Sequence, residues 1–336
     1  MSQYCVGIIG ALGAVGEQMR EILPAGELDI GKVKTFERPE LEGETAKFDG
    51  KDIPCQVPTK EALAECDVVT MSAGSAASKK IAPMAADAGT VVVDNSSQWR
   101  TDPEVPLVVP EVNPEDLDWH EGIVANPNCS TIQMVVALEP LHEAFEIDRV
   151  VVSTYQAVSG SGVDAIEELK AQSESIVNGE EPEAEVYPHQ IAFNALPHID
   201  VFQENDYTKE EMKMVNETQK IMERSISVSP TAVRLPIYRS HAESVNIETK
   251  KPIDPKEARR LLAEKESVVV QDDPENNEYP LPLAAEGKDE VYVGRIRKDS
   301  TVENGLNFWV VSDNLRKGAA LNTVQIAEEL AVRDLL

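Results

Sequence analysis

Residues 4–9, YCVGII, form a short apolar run, and GALGAVG follows it directly, placing glycine at 10, 13 and 16 ahead of a helical stretch read over 17–23 and stopped at Pro24. An apolar run of this kind suits a strand covered on both faces, and glycines after it let the chain turn sharply into a helix. Without side chains there, the backbone N–H groups of the first helical turn stay open to an anion. This is how a βαβ unit opens, so the chain is constrained to a parallel sheet. Apolar runs at 68–72, 91–94, 107–109 and 123–125 continue the pattern, separated by turns and helical stretches such as 78–88. Residues 1–127 are therefore predicted to form a doubly wound parallel sheet, with ligands beyond the carboxyl ends of its strands.

The texture then changes. Longer β-branched runs at 149–155, 232–249, 267–270, 291–297 and 306–312 predict a mixed or antiparallel sheet, interrupted by helices over 163–177 and 210–224. A final helix over 319–336 is expected to return to the first domain. The acidic stretch 179–185 and the Pro/Asn-rich stretch 272–287 read as solvated loops. The predicted class is α/β: a dinucleotide-binding domain over 1–127, an α+β domain over 128–314, and a closing helix over 315–336.

Composition narrows the partners. With 31 basic against 60 acidic residues the net charge is -29, which repels polyanions and excludes nucleic acid, while a local cluster of Arg and Lys still admits a small phosphorylated ligand. Cys5, Cys55, Cys66 and Cys129 are widely spaced with no CxxC pair, so a reducing cytoplasm fits better than a disulfide framework. No stretch approaches the roughly 18 apolar residues of a membrane span, and no export signal is visible. His189 and His198 flank an apolar stretch without a ligand set, so no metal site is expected.

Cys129 stands in NPNCST, followed by Ile132, Val135, Val136 and Leu138 at helical spacing, which places it at a helix N-terminus. Free N–H groups and the helix dipole there favour a thiolate, and the same donors can hold the oxyanion formed when it attacks a carbonyl. The other three cysteines lie in or beside apolar segments and read as core. At the expected end of the second strand Glu37 and Arg38 stand side by side; the acid suits a ribose 2′-OH and the guanidinium a 2′-phosphate, so the residues leave NAD and NADP both open. By spacing alone, Glu210 and Lys213 form a surface ion pair in a helix opened by the capping box Thr208-x-x-Glu211. Likewise Arg100 neutralises Asp102 and Glu104, Gln156 satisfies backbone groups, and His241 is a structural histidine.

Taken together, GALGAVG, SAG at 72–74, VVVDNSSQWR, DPEVPLVVPEVN, NPNCST, TYQAVSGSG, PHQIAFNALPHID, EEMK, RLPIYRSH and SDNLRKGAA run in the order found in the aspartate-β-semialdehyde dehydrogenases, and the chain resembles that family nearly end to end. The resemblance implies a Rossmann-like first domain, a catalytic and dimerisation domain with a mixed sheet, and a homodimer or homotetramer. It implies NADPH-dependent reduction of L-4-aspartyl phosphate to L-aspartate 4-semialdehyde and phosphate, a step towards lysine, methionine, threonine and diaminopimelate. It makes Cys129 the acyl-thioester nucleophile, His241 the general acid/base and Gln156 the residue that orients the intermediate. Arg100, Asn128 and Lys213 match phosphate-holding positions, Arg234 the α-carboxylate clamp and Glu210 the partner of the α-amino group. Cofactor contacts fall on Gly10, Leu12, Gly13, Ala14, Val15, Arg38, Ser72, Ala73, Gly74, Ser159, Gly160 and Asn314.

Two departures stand out. Leu12 replaces the family's hydroxyl-bearing residue, which shifts phosphate binding to backbone donors. The segment TFERPELEG lacks the family's Ser-x-Arg-Ser-Ala-Gly element and carries an insertion, leaving Arg38 as its substitute. The rival readings are an N-acetyl-γ-glutamyl-phosphate reductase, whose acylated amine gives Glu210 no charged partner, and a catalytically inactive paralogue on the same fold.

Overall fold

The computed structural model describes residues 3–222 and 225–336 and divides into two compact units, residues 1–128 with 319–336, and residues 129–318. In the first unit the strands are β1 (Tyr4–Ile9), β2 (Ile30–Phe36), β3 (Thr45–Phe48), β4 (Lys51–Gln56), β5 (Val68–Met71), β6 (Val91–Asp94) and β7 (Ile123–Ala125). With them come α1 (Ala14–Ile22), α2 (Lys60–Leu63) and α3 (Ser75–Ala86). The strand order is β3-β4-β2-β1-β5-β6-β7, parallel except for β3, which pairs antiparallel with β4 at one edge. That edge hairpin was not expected from the sequence. The 35–43 segment feeds it through a short 3-10 turn at Pro39–Leu41.

Alternation along the strands explains the continuous apolar runs. Val6 and Ile8 of β1, Val68 of β5, and Val91 and Val93 of β6 enter one core; Ile9, Val69, Met71 and Val92 enter the other with Phe36, Leu63, Ala82 and Ala85. Both faces are thus covered, which a parallel sheet requires. The predicted strand at 107–109 is a single bridge between Leu107 and Ala125, because Pro106 and Pro110 bracket it and neither can donate to a ladder.

The second unit holds α4 (Cys129–Phe145), β8 (Ile147–Gln156), α5 (Val163–Val177), α6 (Lys209–Ile221), β9 (Ser227–Arg234) and β10 (His241–Thr249). It continues with α7 (Pro255–Ala263), β11 (Val268–Val270), α8 (Pro282–Ala285), β12 (Val291–Asp299) and β13 (Gly305–Ser312). The mixed sheet has the order β11-β12-β13-β10-β8-β9. The run 232–249, expected as one strand, is broken at 235–240, where Pro236 withdraws a donor and Ser240 turns to φ 70°. The break lets β9 lie parallel to β8 on one side and β10 antiparallel on the other. The helix expected over 210–224 spans Lys209–Ile221, and positions 223–224 lie outside the described residues. The 272–287 stretch, expected as loop, includes a 3-10 turn and α8. After a π-turn at Arg316–Ala320 the chain rejoins the first unit as α9 (Leu321–Val332), which packs on α1, β5 and β6.

Within the first unit, the α1 entry is held by close backbone packing. Gly10 adopts φ 78°, and a Cβ on Gly16 would lie 2.1 Å from the Gly10 carbonyl oxygen. Gly16→Ala is therefore expected to destabilise this unit by about 1–3 kcal/mol, read as a lower urea midpoint; an unchanged midpoint would show that the turn has slack.

Candidate active site

In the first unit the turns after β1, β5 and β6 leave the carboxyl edge of the sheet together: the Ser72 N–H donates to the Ile9 carbonyl at 2.9 Å and the Asn95 N–H to Met71 at 2.9 Å. Gly13 caps α1 and Gly74 caps α3, neither with a side-chain cap hydrogen bond, and a Cβ on Gly74 would meet nothing within 4 Å. Two open helix N-termini, with Leu12, Ala14 and Val15 beside one and Ser72 and Ala73 leading to the other, fit the pyrophosphate of a dinucleotide. At the end of β2, Glu37 Oε1 accepts from the Leu12 N–H at 2.8 Å, tying that acid to the glycine turn. Arg38 next to it is exposed, with Glu40 4.0 Å away.

The 94–100 turn is organised by Asp94. Its carboxylate accepts from Ser78 Oγ at 2.8 Å and from the Ser96 N–H at 3.1 Å, while Trp99 Nε1 donates to Ser78 Oγ at 2.8 Å. Burial raises the Asp94 pKa, against hydrogen bonds from Ser96 and Ser78 and the nearby charge of Arg100. Arg100 is buried, and its Nη2 donates to the Asn95 carbonyl at 2.7 Å, so it belongs to this turn. Three asparagines that sequence reasoning missed fix the approach to Cys129: Asn126 Nδ2 donates to Asn95 Oδ1 at 2.8 Å, and Asn322 Nδ2 to Asn126 Oδ1 at 2.7 Å. Asn128, also buried, ends that segment. Asn126 was visible within NPNC, but nothing in the motif announced its distant partner.

The second unit collects most of the candidate chemistry at one end of its sheet. Parallel pairing sets Gln156 opposite Arg234, and antiparallel pairing sets Ala242, the second residue of β10, opposite Tyr155. The carboxyl ends of β8 and β9 therefore meet the start of β10, where His241 stands. Gln156 Nε2 donates to Glu210 Oε1 at 3.1 Å, and Lys213 Nζ bonds Glu210 Oε2 at 2.9 Å and Asp200 Oδ2 at 3.0 Å. The expected surface ion pair is thus an interior one, because Glu210 is only 5% exposed. Burial opposes the charged ammonium of Lys213, but Glu210 and Asp200 outweigh it and hold its pKa above the ordinary lysine value. Glu211 sets this geometry: it completes the capping box with Thr208 and also accepts from the Ala232 N–H of β9 at 3.0 Å.

Arg234 is buried, with Nη1 donating to the Ala157 carbonyl at 2.6 Å and Nε unpartnered. His241 is sealed, and its Nδ1 accepts from the Ala157 N–H at 3.1 Å. The proton of the neutral ring therefore sits on Nε2, which has no partner and is set to donate. Burial, then the charge of Arg234, drives the His241 pKa down to about 3, against a smaller upward pull from Glu210. A Cβ on Gly160 would lie 3.0 Å from Arg234 Nη1 and 3.4 Å from His241 Nε2, so glycine there leaves room for both. Asn314 Oδ1 accepts from the N–H of the left-handed Ser240 at 2.9 Å, and Asn314 Nδ2 donates to Ser159 Oγ at 3.0 Å. Ser159, Gly160 and Asn314, expected as cofactor contacts, are thus seen here as neighbours of Arg234 and His241.

Cys129 is half-buried and begins α4, which packs on β8, β10, β12 and β13. Gly318, another residue missed from sequence, lies against it, with a Cβ there only 2.8 Å from Cys129 Cβ. Cys55 and Cys66 are core residues, and burial pushes the Cys66 thiol up to about 12, whereas Cys5 is half-buried 4.0 Å from Cys66. His198 stacks on Phe202 at 4.5 Å. Among the described residues no group of three or more His, Cys, Asp or Glu is placed to hold a metal ion, and no helix is long and apolar enough to cross a membrane.

Comparison with known proteins bears on both units. Residues 5–120 match a family model described as semialdehyde dehydrogenase, NAD binding domain, and residues 138–317 one described as semialdehyde dehydrogenase, dimerisation domain. An aspartate-semialdehyde dehydrogenase of Aquifex aeolicus is 54% identical over 99% of both chains, and one of Bacillus subtilis 47% identical over 98% of both. The chain belongs to the aspartate-semialdehyde dehydrogenase family. A solved structure of aspartate semialdehyde dehydrogenase II from Vibrio cholerae complexed with ASA covers 100% of both chains with TM-score 0.96 at 46% identity. One from Candida albicans with NADP covers 100% of both with TM-score 0.79 at 25% identity. The first unit is accordingly this family's nicotinamide dinucleotide-binding domain.

The buried neutral His241 gives a pH signature. With its pKa lowered from the ordinary 6.5 to about 3, its contribution to stability is fully present above 6.5 and is lost as pH falls towards 3, because the unfolded chain takes up the proton first. The Tm advantage of wild type over His241→Gln is expected to shrink between roughly pH 7.5 and pH 4.5; a constant difference would mean that the ring is not held neutral.

Proposed function

We propose that the chain catalyses NADPH-dependent reduction of L-4-aspartyl phosphate to L-aspartate 4-semialdehyde and phosphate through a thioester on Cys129, in the cytoplasm and as a homodimer built on the second unit. The observation that carries the substrate is the pair of opposite charges at one sealed strand end. Arg234 and Glu210 both adjoin Gln156, one by strand register and one by hydrogen bond. An α-amino acid head offers a carboxylate to the first and an ammonium to the second, whereas an acylated amine offers Glu210 nothing. Relatives of the same name over nearly the full length support this reading. For the dimer, the support is the matched dimerisation domain and the half-buried Tyr155, Tyr292 and Trp309 on the sheet face turned away from α4.

The Cys129 thiolate, favoured by the N-terminus of α4, attacks the acyl carbon; the C–S bond forms as the C–O bond to phosphate breaks. Arg100, Asn128 and Lys213 keep the phosphate-holding roles that the family resemblance implies. When bound, the nicotinamide cofactor would supply the hydride that reduces the acyl carbon. Gln156, fixed by Glu210, orients the carbonyl, and the neutral His241 ring keeps its Nε2 proton and donates a hydrogen bond to the oxygen as negative charge develops on it, so that the oxyanion can re-form the C=O bond. Expulsion of the Cys129 thiolate then releases the aldehyde. Gly10, Leu12, Gly13, Ala14, Val15, Ser72, Ala73 and Gly74 are proposed to hold the dinucleotide and Arg38 its 2′-phosphate, with Ser159, Gly160 and Asn314 as contacts from the second unit's own turns.

Given L-aspartate 4-semialdehyde and phosphate, the purified protein is expected to reduce NADP, and Cys129→Ala to lower the rate by roughly 10³-fold or more. No phosphate-dependent reduction of NADP or NAD by folded wild type would overturn the reading. Arg38→Ala is expected to raise the KM for NADP about ten-fold while leaving NAD within about two-fold; equal effects on both would remove Arg38 from the 2′-phosphate.

A further inference from the structure

Directly after β13 stands a fully buried carboxylate that takes no part in the reaction above. His241 pairs with Ser312, so Asp313 lies one residue beyond the last rung between β10 and β13. Its two oxygens serve different parts of the site. Oδ1 accepts from the N–H groups of Leu315 at 2.9 Å and Arg316 at 3.3 Å, as an N-cap does, at the entry to the π-turn Arg316–Ala320. The Asp313 carbonyl accepts from the Gly318 N–H at 3.1 Å, and Gly318 is the residue that lies against Cys129. Oδ2 accepts from the Gly287 N–H at 2.7 Å and lies 2.7 Å from Arg239 Nε, an ion pair by distance and charge. Arg239 belongs to the segment 235–240 and stands two residues before His241. Asn314 adds a second tie to that segment through the Ser240 N–H.

We propose that Asp313 is a positioning residue that holds the Cys129 and His241 ends of the site in register, one oxygen capping the turn beside Cys129 and the other anchoring the segment ahead of His241. This rests on the roles given above to those two residues. The segments that Asp313 gathers, at 239, 287 and 315–316, all lie outside the strands, so strand pairing does not set their spacing. Ser240 sits at φ 70°, a conformation that a residue other than glycine holds only where its surroundings enforce it. Arg239 and Ser240 are bound by Asp313 and Asn314 respectively, which supplies that enforcement immediately before His241. Stability alone does not call for a charge here, because an apolar filling of a buried site is often as stable as an ion pair. What the carboxylate adds is direction, since each oxygen fixes the groups that donate to it.

The test uses three readouts on the full-length protein: Tm, alkylation of Cys129 by iodoacetamide with mass spectrometry against Cys55, and steady-state oxidation of the semialdehyde with phosphate and NADP. Arg239→Met cuts the anchor and leaves the cap, so kcat is expected to fall about ten-fold or more while KM stays within about three-fold and alkylation within about two-fold. Arg239→Lys keeps the charge and is expected to recover kcat to within about three-fold of wild type. Asp313→Ala removes cap and anchor together and is expected to slow alkylation and kcat each by about ten-fold or more. An Asp313→Asn/Arg239→Met double variant removes both charges yet keeps an oxygen for the Leu315 N–H; it guards against loss of folding, and is expected to hold the wild-type Tm and alkylation rate with the low kcat of Arg239→Met. The proposal falls if the folded double variant turns over at the wild-type rate, which would reduce the pair to a source of stability. It falls equally if Arg239→Met slows alkylation as much as kcat, or if Arg239→Lys is as slow as Arg239→Met. If wild type oxidises no semialdehyde while alkylation is slowed by Asp313→Ala and not by Arg239→Met, the positioning role stands and the proposed reaction falls.

Discussion

Segment 235–240 has to carry the chain from one flank of β8 to the other, and the bonds it makes while crossing organise the sealed end of the second sheet. The Leu235 N–H donates to the Gln156 carbonyl, while the Ile237 and Tyr238 carbonyls accept from the N–H groups of Val158 and Ser159. Ala157, caught between these rungs, has its own N–H and carbonyl left to point elsewhere. The N–H goes to His241 Nδ1 and the carbonyl receives Arg234 Nη1. A single residue thus orients both the imidazole and the guanidinium, and it can do so because the crossing strap holds the two peptides on either side of it.

Charge at this end of the sheet is balanced locally. On a chain with net charge -29, Arg234, Lys213, Glu210 and Asp200 form a local cluster with both signs represented. Burying Arg234 or Glu210 alone would cost several kcal/mol, and the pairing of Glu210 with Lys213 offsets part of that. His241 is handled differently, since loss of its proton spares the cluster a third cation. Local sign balance, rather than the overall excess of acid, is what an amino-acid substrate would meet.

Much of the architecture was legible in the sequence because burial on both faces writes itself as unbroken apolar runs, as β1, β6 and β7 do. The edge hairpin β3–β4 was not, since a half-exposed edge alternates weakly and TFERPELEG reads as an irregular insertion. The join of β9 and β10 was hidden because 235–240 keeps apolar residues while it turns. At the site, motif order named Cys129, Gln156, Arg234 and His241, but spacing offered only a surface pair for Glu210 and Lys213: helical period gives neighbours, not depth. The Asn95–Asn126–Asn322 chain and the approach of Gly318 to Cys129 join residues far apart in sequence, and no local pattern signals such contacts.

The way the two units are threaded has a consequence for biosynthesis. The second unit is an insertion within the first, beginning at Cys129 and ending at Gly318, and its two ends touch there. A unit whose ends meet can close upon itself as soon as its last strand and turn have been made. The first unit cannot, because α9 supplies Val324, Ala327 and Leu330 to its core and Asn322 to its asparagine chain. On the ribosome, the unit that begins at Cys129 can therefore be complete while the half that binds the dinucleotide still waits for its closing helix, with its Val6–Ile8 surface uncovered.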